Sequence, residues 1–237
     1  MIYVSSDWHG CPLATVKALL AKADFSEDDF LFVLGDVIDR GEHGVELLEY
    51  IMDQPNIELL RGNHEQMLLS CAFLFDEITE SSIGSLTPGS MHALHVWKMN
   101  GARPTLDALS RRTPERRRDI LDFLTDTPIY DTVTAGGRDF LLVHGGLCRD
   151  ENGRILRLDE CDPESLLWTR PELTTVYFRD FITVIGHTPT GFYGEEYRGR
   201  ILRTDTWINV DTGAARGLTP SLLRLEDLAE FYVESEN

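Results

Sequence analysis

No apolar stretch of this 237-residue chain approaches the roughly 20 residues that a membrane-crossing helix needs, so a bilayer-spanning role is not expected. Strand-like residues begin at Ile2 with no basic region ahead of them, so a secretory signal is not expected and a cytoplasmic location is. The four cysteines, Cys11, Cys71, Cys148 and Cys161, lack paired metal-type spacing. That argues against a thiolate zinc site and suits free thiols in a reducing compartment. Positive charge is scarce: 22 Lys and Arg face 40 Asp and Glu, a formal net charge of −18. So acidic a surface repels phosphate backbones, and a nucleic-acid partner is not expected. Internal repeats, low-complexity tracts and linker-like composition shifts are also missing, so 1–237 reads as a single domain. The one basic island, Arg111, Arg112, Arg116, Arg117 and Arg118, reads as the solvent face of a helix opened by Thr113-Pro114. Nothing in the pattern reports an oligomeric state.

What is present is an alternation of strand and helix signals. Apolar runs at 1–4, 30–34 and 57–60 read as strands. Helices fit between and after them: one begins at Pro12 with Leu13, Val16, Leu19 and Leu20 on one face, one carries Val45, Leu47, Leu48 and Ile51, and one runs from His64 to about Phe75. This opening predicts a largely parallel sheet. Residues 78–127 lack strand signal; Gly84, Pro88 and Gly89 mark a loop, and 91–99 and 115–124 read as helical, so the segment is an α-helical insertion on the core. From Ile129 onward the chain turns strand-rich, at 129–134, 140–143, 181–185, 201–203, 208–210, 222–225 and 231–233, with Gly136-Gly137 as a hairpin signal. The expected class is α/β, with two packed mixed β-sheets flanked by helices.

Five short segments carry the chemistry: Asp7-Trp8-His9-Gly10, Gly35-Asp36-Val37-Ile38-Asp39-Arg40-Gly41, Arg61-Gly62-Asn63-His64-Glu65, His144-Gly145-Gly146 and Gly186-His187-Thr188. Most follow an apolar run directly, which clusters Asp, His and Asn at the carboxyl ends of strands, where open α/β sheets bind ligands. Asp7 and His9 are one residue apart, so an extended strand end points both to one side and Trp8 to the other, for packing. Asp36 has two oxygens with which to bridge two ions, Asn63 offers a neutral oxygen, and His144 and His187 offer imidazole nitrogens. Such mixed oxygen and nitrogen ligation suits Mn²⁺, Fe or Zn²⁺ better than Ca²⁺.

In this order the segments resemble those of the calcineurin-like metallophosphoesterases. The narrower likeness is to the phosphoprotein phosphatase branch, which includes small phage and bacterial serine/threonine phosphatases and symmetric diadenosine tetraphosphatases. Trp97-Lys98-Met99-Asn100-Gly101 with Thr105-Leu106, and Leu167-Trp168-Thr169-Arg170, extend it. The resemblance implies a four-layer sandwich holding two divalent ions, with Mn²⁺ expected. Asp7, His9 and Asp36 would hold one ion, and Asp36, Asn63, His144 and His187 the other. It implies in-line attack by a hydroxide bridging ions roughly 3.5–4 Å apart. His64 would protonate the leaving oxygen with Asp39 orienting it. Arg40 and Arg61 would grip the phosphoryl oxygens, with Arg170 and Asn63 also facing substrate. Two divalent ions outweigh the charges of Asp7 and Asp36, so the pocket would be locally positive inside an acidic protein. Gly41 precedes Glu42 where many relatives carry proline, and only one histidine stands in the last motif, which favours the phosphoprotein phosphatase branch.

The expected activity is therefore metal-dependent hydrolysis of phosphate monoesters, foremost phosphoserine or phosphothreonine in a phosphorylated protein, or of another small phosphoester. A symmetric dinucleoside tetraphosphate hydrolase is the alternative within the same chemistry, and a non-catalytic phosphate-binding scaffold the alternative outside it. Taken singly, each motif has a plain reading. Arg61 could be a strand-end charge, the 97–100 stretch insertion packing, and His43, His92 and His95 ordinary surface or packing residues.

Overall fold

Runs of branched and aromatic residues open the chain as strands, and a computed structural model describing residues 1–75 and 87–234 pairs them in parallel. β1 (Ile2–Ser5) lies beside β2 (Phe30–Val33), which lies beside β3 (Ile57–Leu59), with α1 (Leu13–Lys22) and α2 (Gly44–Met52) as the connections. β9 (Ser221–Arg224) and β10 (Glu230–Tyr232) return from the far end of the chain and add antiparallel on the free side of β1, in the order β10-β9-β1-β2-β3. A second sheet takes β4 (Tyr130–Ala135), β5 (Arg138–Val143), β6 (Ile182–Ile185), β7 (Leu202–Arg203) and β8 (Trp207–Asn209) in the order β4-β5-β6-β8-β7. Its centre, β5-β6-β8, is parallel, and antiparallel β4 and β7 close its edges.

Alternation along the strands explains why their sequences are apolar at nearly every position. Val4, Phe32 and Leu34 of the first sheet meet Phe140, Leu142, Val184 and Ile208 of the second, forming a core between the sheets. Their neighbours Tyr3, Leu31 and Val33 face the opposite way into a core shared with the helices. Leu141, Val143, Ile185 and Trp207 do the same on the outer face of the second sheet. Both faces of each sheet are thus covered, which is the situation that produces continuous apolar strands. Two mixed five-stranded sheets flanked by helices are what the sequence pattern predicts. The hairpin at Gly136-Gly137 is present as well. Both glycines have positive φ, 55° and 75°, as a two-residue turn matched to strand twist requires.

The remaining helices among the described residues are α3 (Asn63–Ser70), α4 (Pro88–Met99), α5 (Arg103–Ser110), α6 (Pro114–Asp126) and α7 (Ser165–Trp168). α3 is shorter than expected and gives way to a 3₁₀ turn at Ala72–Phe75. Residues 78–86 of the expected insertion lie outside the described residues. α4 to α6 pack on α2 and α3. α5 falls inside the expected helical insertion but outside its two expected helical stretches, and only Thr105 and Leu109 of its eight residues are buried. The arginine island is not purely a solvent face. Arg112 and Arg116 both reach Glu49 of α2, at 2.8 and 3.0 Å, and tie α6 across to it. Among the described residues no helix is long and apolar enough to cross a membrane, and all four cysteines are free thiols.

Candidate metal centre

The parallel strands deliver polar residues to one place because their carboxyl ends meet where the two sheets come together. Asp7 follows β1, Asp36 follows β2, Asn63 follows β3, His144 follows β5 and His187 follows β6. Cross-sheet bonds hold these ends in contact: His144 Nδ1 donates to the Leu34 carbonyl at 2.5 Å, and the His187 amide donates to Asp7 Oδ2 at 2.8 Å. The local backbone differs from the extended strand ends expected for Asp7 and His9. Both have positive φ, 54° and 42°, as do Asp36, Asp39, Arg40 and His187. Left-handed backbone at non-glycine residues costs energy and gathers where surrounding structure aims a functional side chain. Six such residues in one constellation therefore point to a site. Trp8 does turn away into the core, as expected.

Asp36 sits at the centre. Its Oδ2 is 3.4 Å from His144 Nε2, 3.6 Å from His9 Nε2 and 3.8 Å from His64 Nε2. His9 Nε2 is also 3.7 Å from Asp7 Oδ1, and Asn63 Oδ1 is 3.0 Å from His144 Nε2. Among the described residues two groups have ligand atoms mutually within 4.8 Å: His9, Asp36 and His64, and Asp36, His144 and His187. The first group admits His64 beside the expected His9, and Asp36 belongs to both.

Protonation follows from the partners. His9 Nδ1 donates to the Ile38 carbonyl, and its Nε2 accepts from Arg40, so the ring is neutral. Burial, with positive neighbours, pushes its pKa down to about 3. Both nitrogens of His144 lie against oxygens, the Leu34 carbonyl and Asn63 Oδ1, contacts that suit a ring protonated on both nitrogens. Burial opposes this charge, but Asp36 and Asp7 outweigh it and raise the pKa to about 10. Burial also drives Asp7 upward, to about 6, with the charge of Asp36 adding to it. Asp36 resists its own burial because the surrounding imidazoles hold it ionised, well below the usual carboxylate range.

Whether these residues fit metal ions can be judged from atoms left over. Asp7 Oδ1 and both ring nitrogens of His187 are buried without a hydrogen-bond partner. Buried polar groups are ordinarily paired, and orphans of this kind are costly. Here they are a carboxylate oxygen and imidazole nitrogens, atoms that donate lone pairs to Mn²⁺, Fe or Zn²⁺, and they border the Asp36 carboxylate. The donor set fits divalent ions.

The other expected residues are placed unequally. His64 is fully buried; its Nδ1 donates to Asp39 Oδ2 at 2.6 Å and its Nε2 accepts from Arg40 at 3.0 Å. Burial lowers its pKa, yet the charges of Asp36 and Asp39 leave it raised. Arg40 thus bridges His9 and His64 with its two terminal nitrogens. Arg170 donates to Thr188 Oγ1 and to the His187 carbonyl, at the rim. Arg61 is not gathered with them. Its guanidinium donates to the carbonyls of Leu124, Thr125 and Thr127 at the end of α6, and to Gln66. That is a cation on a helix carboxyl terminus, where the dipole favours it.

Four contributors carry no role in the motif reading. The buried Glu65 carboxylate accepts the amides of Asp36, Val37 and Gly62 at 2.8 to 3.0 Å, cradling the Asp36 turn. Trp97, in the stretch with a plain reading as insertion packing, and Thr105 both hydrogen-bond to Asp39. Asp211, fully buried after β8, has its pKa raised well above the usual range by burial and by the nearby charge of Asp7. Its signal was in the sequence: an acidic residue directly after the strand-like 208–210 segment resembles the placement of Asp36 just past its strand.

The sequence profile of calcineurin-like phosphoesterases matches residues 1–211. The chain is 30% identical over 148 residues to the symmetrical bis(5'-nucleosyl)-tetraphosphatase of Acidovorax ebreus (strain TPSY), which covers 62% of this chain and 44% of that protein. It is 25% identical over 259 aligned positions to the asymmetrical bis(5'-nucleosyl)-tetraphosphatase PrpE of Bacillus velezensis, over 98% and 92% of the two chains. The match thus spans under half the length of the first relative and nearly all of the second. A crystal structure of a candidate diadenosine tetraphosphatase superposes with a TM-score of 0.64 at 17% identity, covering 100% of this chain and 94% of that one. The superposition speaks for the fold.

Proposed function

This chain belongs to the calcineurin-like phosphoesterase family, and on that footing we propose that it is a metal-dependent hydrolase of phosphoesters and phosphoanhydrides, acting foremost on a dinucleoside polyphosphate. The observation that carries the hydrolase reading is the buried Asp36 carboxylate set among three imidazoles beside partnerless atoms of Asp7 and His187. In this reading Asp7, His9 and Asp36 hold one divalent ion, and Asp36, Asn63, His144 and His187 the second. Two ions there, for which we favour Mn²⁺, would supply Lewis acidity and an activated water. His64, oriented by Asp39, protonates the leaving oxygen. Arg40 is placed to turn its fork from His9 and His64 onto the phosphoryl oxygens, which frees His64 Nε2 to carry the proton. Arg170 lines the rim of the site. Arg61, in the contacts it makes, serves α6 rather than the phosphate. The full set of ligands and the acid pair together argue against a non-catalytic scaffold.

For the substrate, the two relatives with dinucleoside tetraphosphatase names support that class ahead of phosphoserine or phosphothreonine. The phosphomonoester reading stands second on a specific observation. The Asp39–His64 acid pair is held by several hydrogen bonds, and protonation matters most when the leaving group is a poor one such as a serine alkoxide. Turnover of diadenosine tetraphosphate and of a phosphothreonine peptide, measured side by side with Mn²⁺, decides the order. A peptide preference of orders of magnitude would overturn the first reading.

A further inference from the structure

Asp39 is not held by its own loop alone. Trp97, wholly buried in α4, donates its indole N–H to Asp39 Oδ2 at 2.7 Å, the same oxygen that receives His64 Nδ1. Thr105 of α5 donates its hydroxyl to Asp39 Oδ1 at 2.6 Å and accepts the Asp39 amide at 3.0 Å. Between the two helices, the Gly101 carbonyl accepts the Arg40 amide at 3.0 Å. Gly101 has φ 100°, and a Cβ there would stand 2.9 Å from Arg40 Cγ, so this approach requires glycine. The helical insertion thus binds both oxygens of the carboxylate that orients His64, and the backbone of the neighbouring arginine.

Resting on the hydrolase reading, we propose that Trp97 and Thr105 are positioning residues for proton delivery, acting through Asp39 on His64. A carboxylate with side-chain donors on both oxygens cannot turn about its terminal bond. Its Oδ2 lone pair stays on His64 Nδ1, and the imidazole keeps Nε2 toward the Asp36 oxygen 3.8 Å away. A buried indole needs some acceptor for its N–H, and a carbonyl would serve that need. Convergence of donors from two separate helices on one catalytic carboxylate is a different arrangement, because it restrains rotation.

The test uses the full chain loaded with Mn²⁺ and two substrates, phenyl phosphate, whose phenolate leaves poorly, and p-nitrophenyl phosphate, whose leaving group departs readily as its anion. Trp97→Phe removes the indole donor, Thr105→Val keeps the shape but removes the hydroxyl that donates to the Asp39 carboxylate and accepts its amide, and Thr105→Ser keeps the hydroxyl. We expect kcat on phenyl phosphate to fall about tenfold or more in the first two variants. On p-nitrophenyl phosphate it should stay within about threefold, with KM and Mn²⁺ affinity unchanged. Thr105→Ser should restore the wild-type ratio. Equal losses on both substrates, or an unchanged ratio in folded variants, would overturn the proposal. Thr105→Val, the smaller change, decides if Trp97→Phe does not fold. Wild-type protein inactive on both substrates would instead remove the hydrolase reading beneath it, and this shows before any substitution is made.

Discussion

At the scale of single residues, one carboxylate organises the site. Replacing Asp36 by Asn keeps the shape but removes the charge that three imidazoles share. Mn²⁺-dependent hydrolysis of p-nitrophenyl phosphate should fall by at least about a hundredfold, with Mn²⁺ affinity. Retained activity would rule out a bridging role. His64→Asn should reduce turnover sharply for poor leaving groups and less for p-nitrophenolate; equal loss on both would count against the acid role. His144 adds a pH prediction. Its folded pKa is raised to about 10, so in metal-stripped protein the ring is protonated across the neutral range. In the proposed ligand role the His144 imidazole must be neutral, so ion binding at pH 7.5 should expel a proton, and apparent affinity should rise as pH rises below that value. Calorimetric titrations of Mn²⁺ in buffers of differing ionisation enthalpy read this directly. Buffer-independent heats would contradict it.

At the scale of elements, the turn after β2 depends on the first turn of α3. Glu65 takes four amides, those of Asp36, Val37, Ile38 and Gly62, from two different loops onto one buried carboxylate. Burial raises its pKa to about 7, but the amides favour its charged form. Glu65→Gln leaves a single acceptor oxygen and adds two donors among amides, so some amides lose their partner. The expected cost is about 2–4 kcal/mol in urea unfolding, with weakened Mn²⁺ binding because Asp36 is no longer held in its left-handed conformation. Unchanged stability would show that water replaces the carboxylate there.

At the scale of the whole molecule, the net charge of −18 opposes any polyanionic substrate even if the pocket itself attracts it. Screening weakens the long-range repulsion first, because the Debye length shrinks from about 30 Å at 0.01 M salt to about 8 Å at 0.15 M. kcat/KM for diadenosine tetraphosphate should therefore rise over that range, while kcat changes little. A fall in kcat/KM would mean that the local positive field dominates encounter.

Local pattern determined a great deal. The strand-like runs predicted every described strand of both sheets, the central ones because residues covered on both faces must be apolar throughout, and Gly136-Gly137 predicted the hairpin that their left-handed φ values form. Strand-end Asp, His and Asn marked the centre for the same reason: parallel strands carry such residues to one edge. Tertiary structure alone decided the rest. Asp7 and His9 converge through left-handed turns rather than an extended strand, a conformation imposed by loops distant in the chain. Arg61 stands next to the motif's glycine, yet α6 offers its guanidinium three carbonyls, and only the packing of that helix reveals the competition. Trp97 and Thr105 lie 58 and 66 residues from Asp39, and no periodicity connects them to it. Local patterns report what each segment can bury; partners for buried polar groups come from segments far away in the chain.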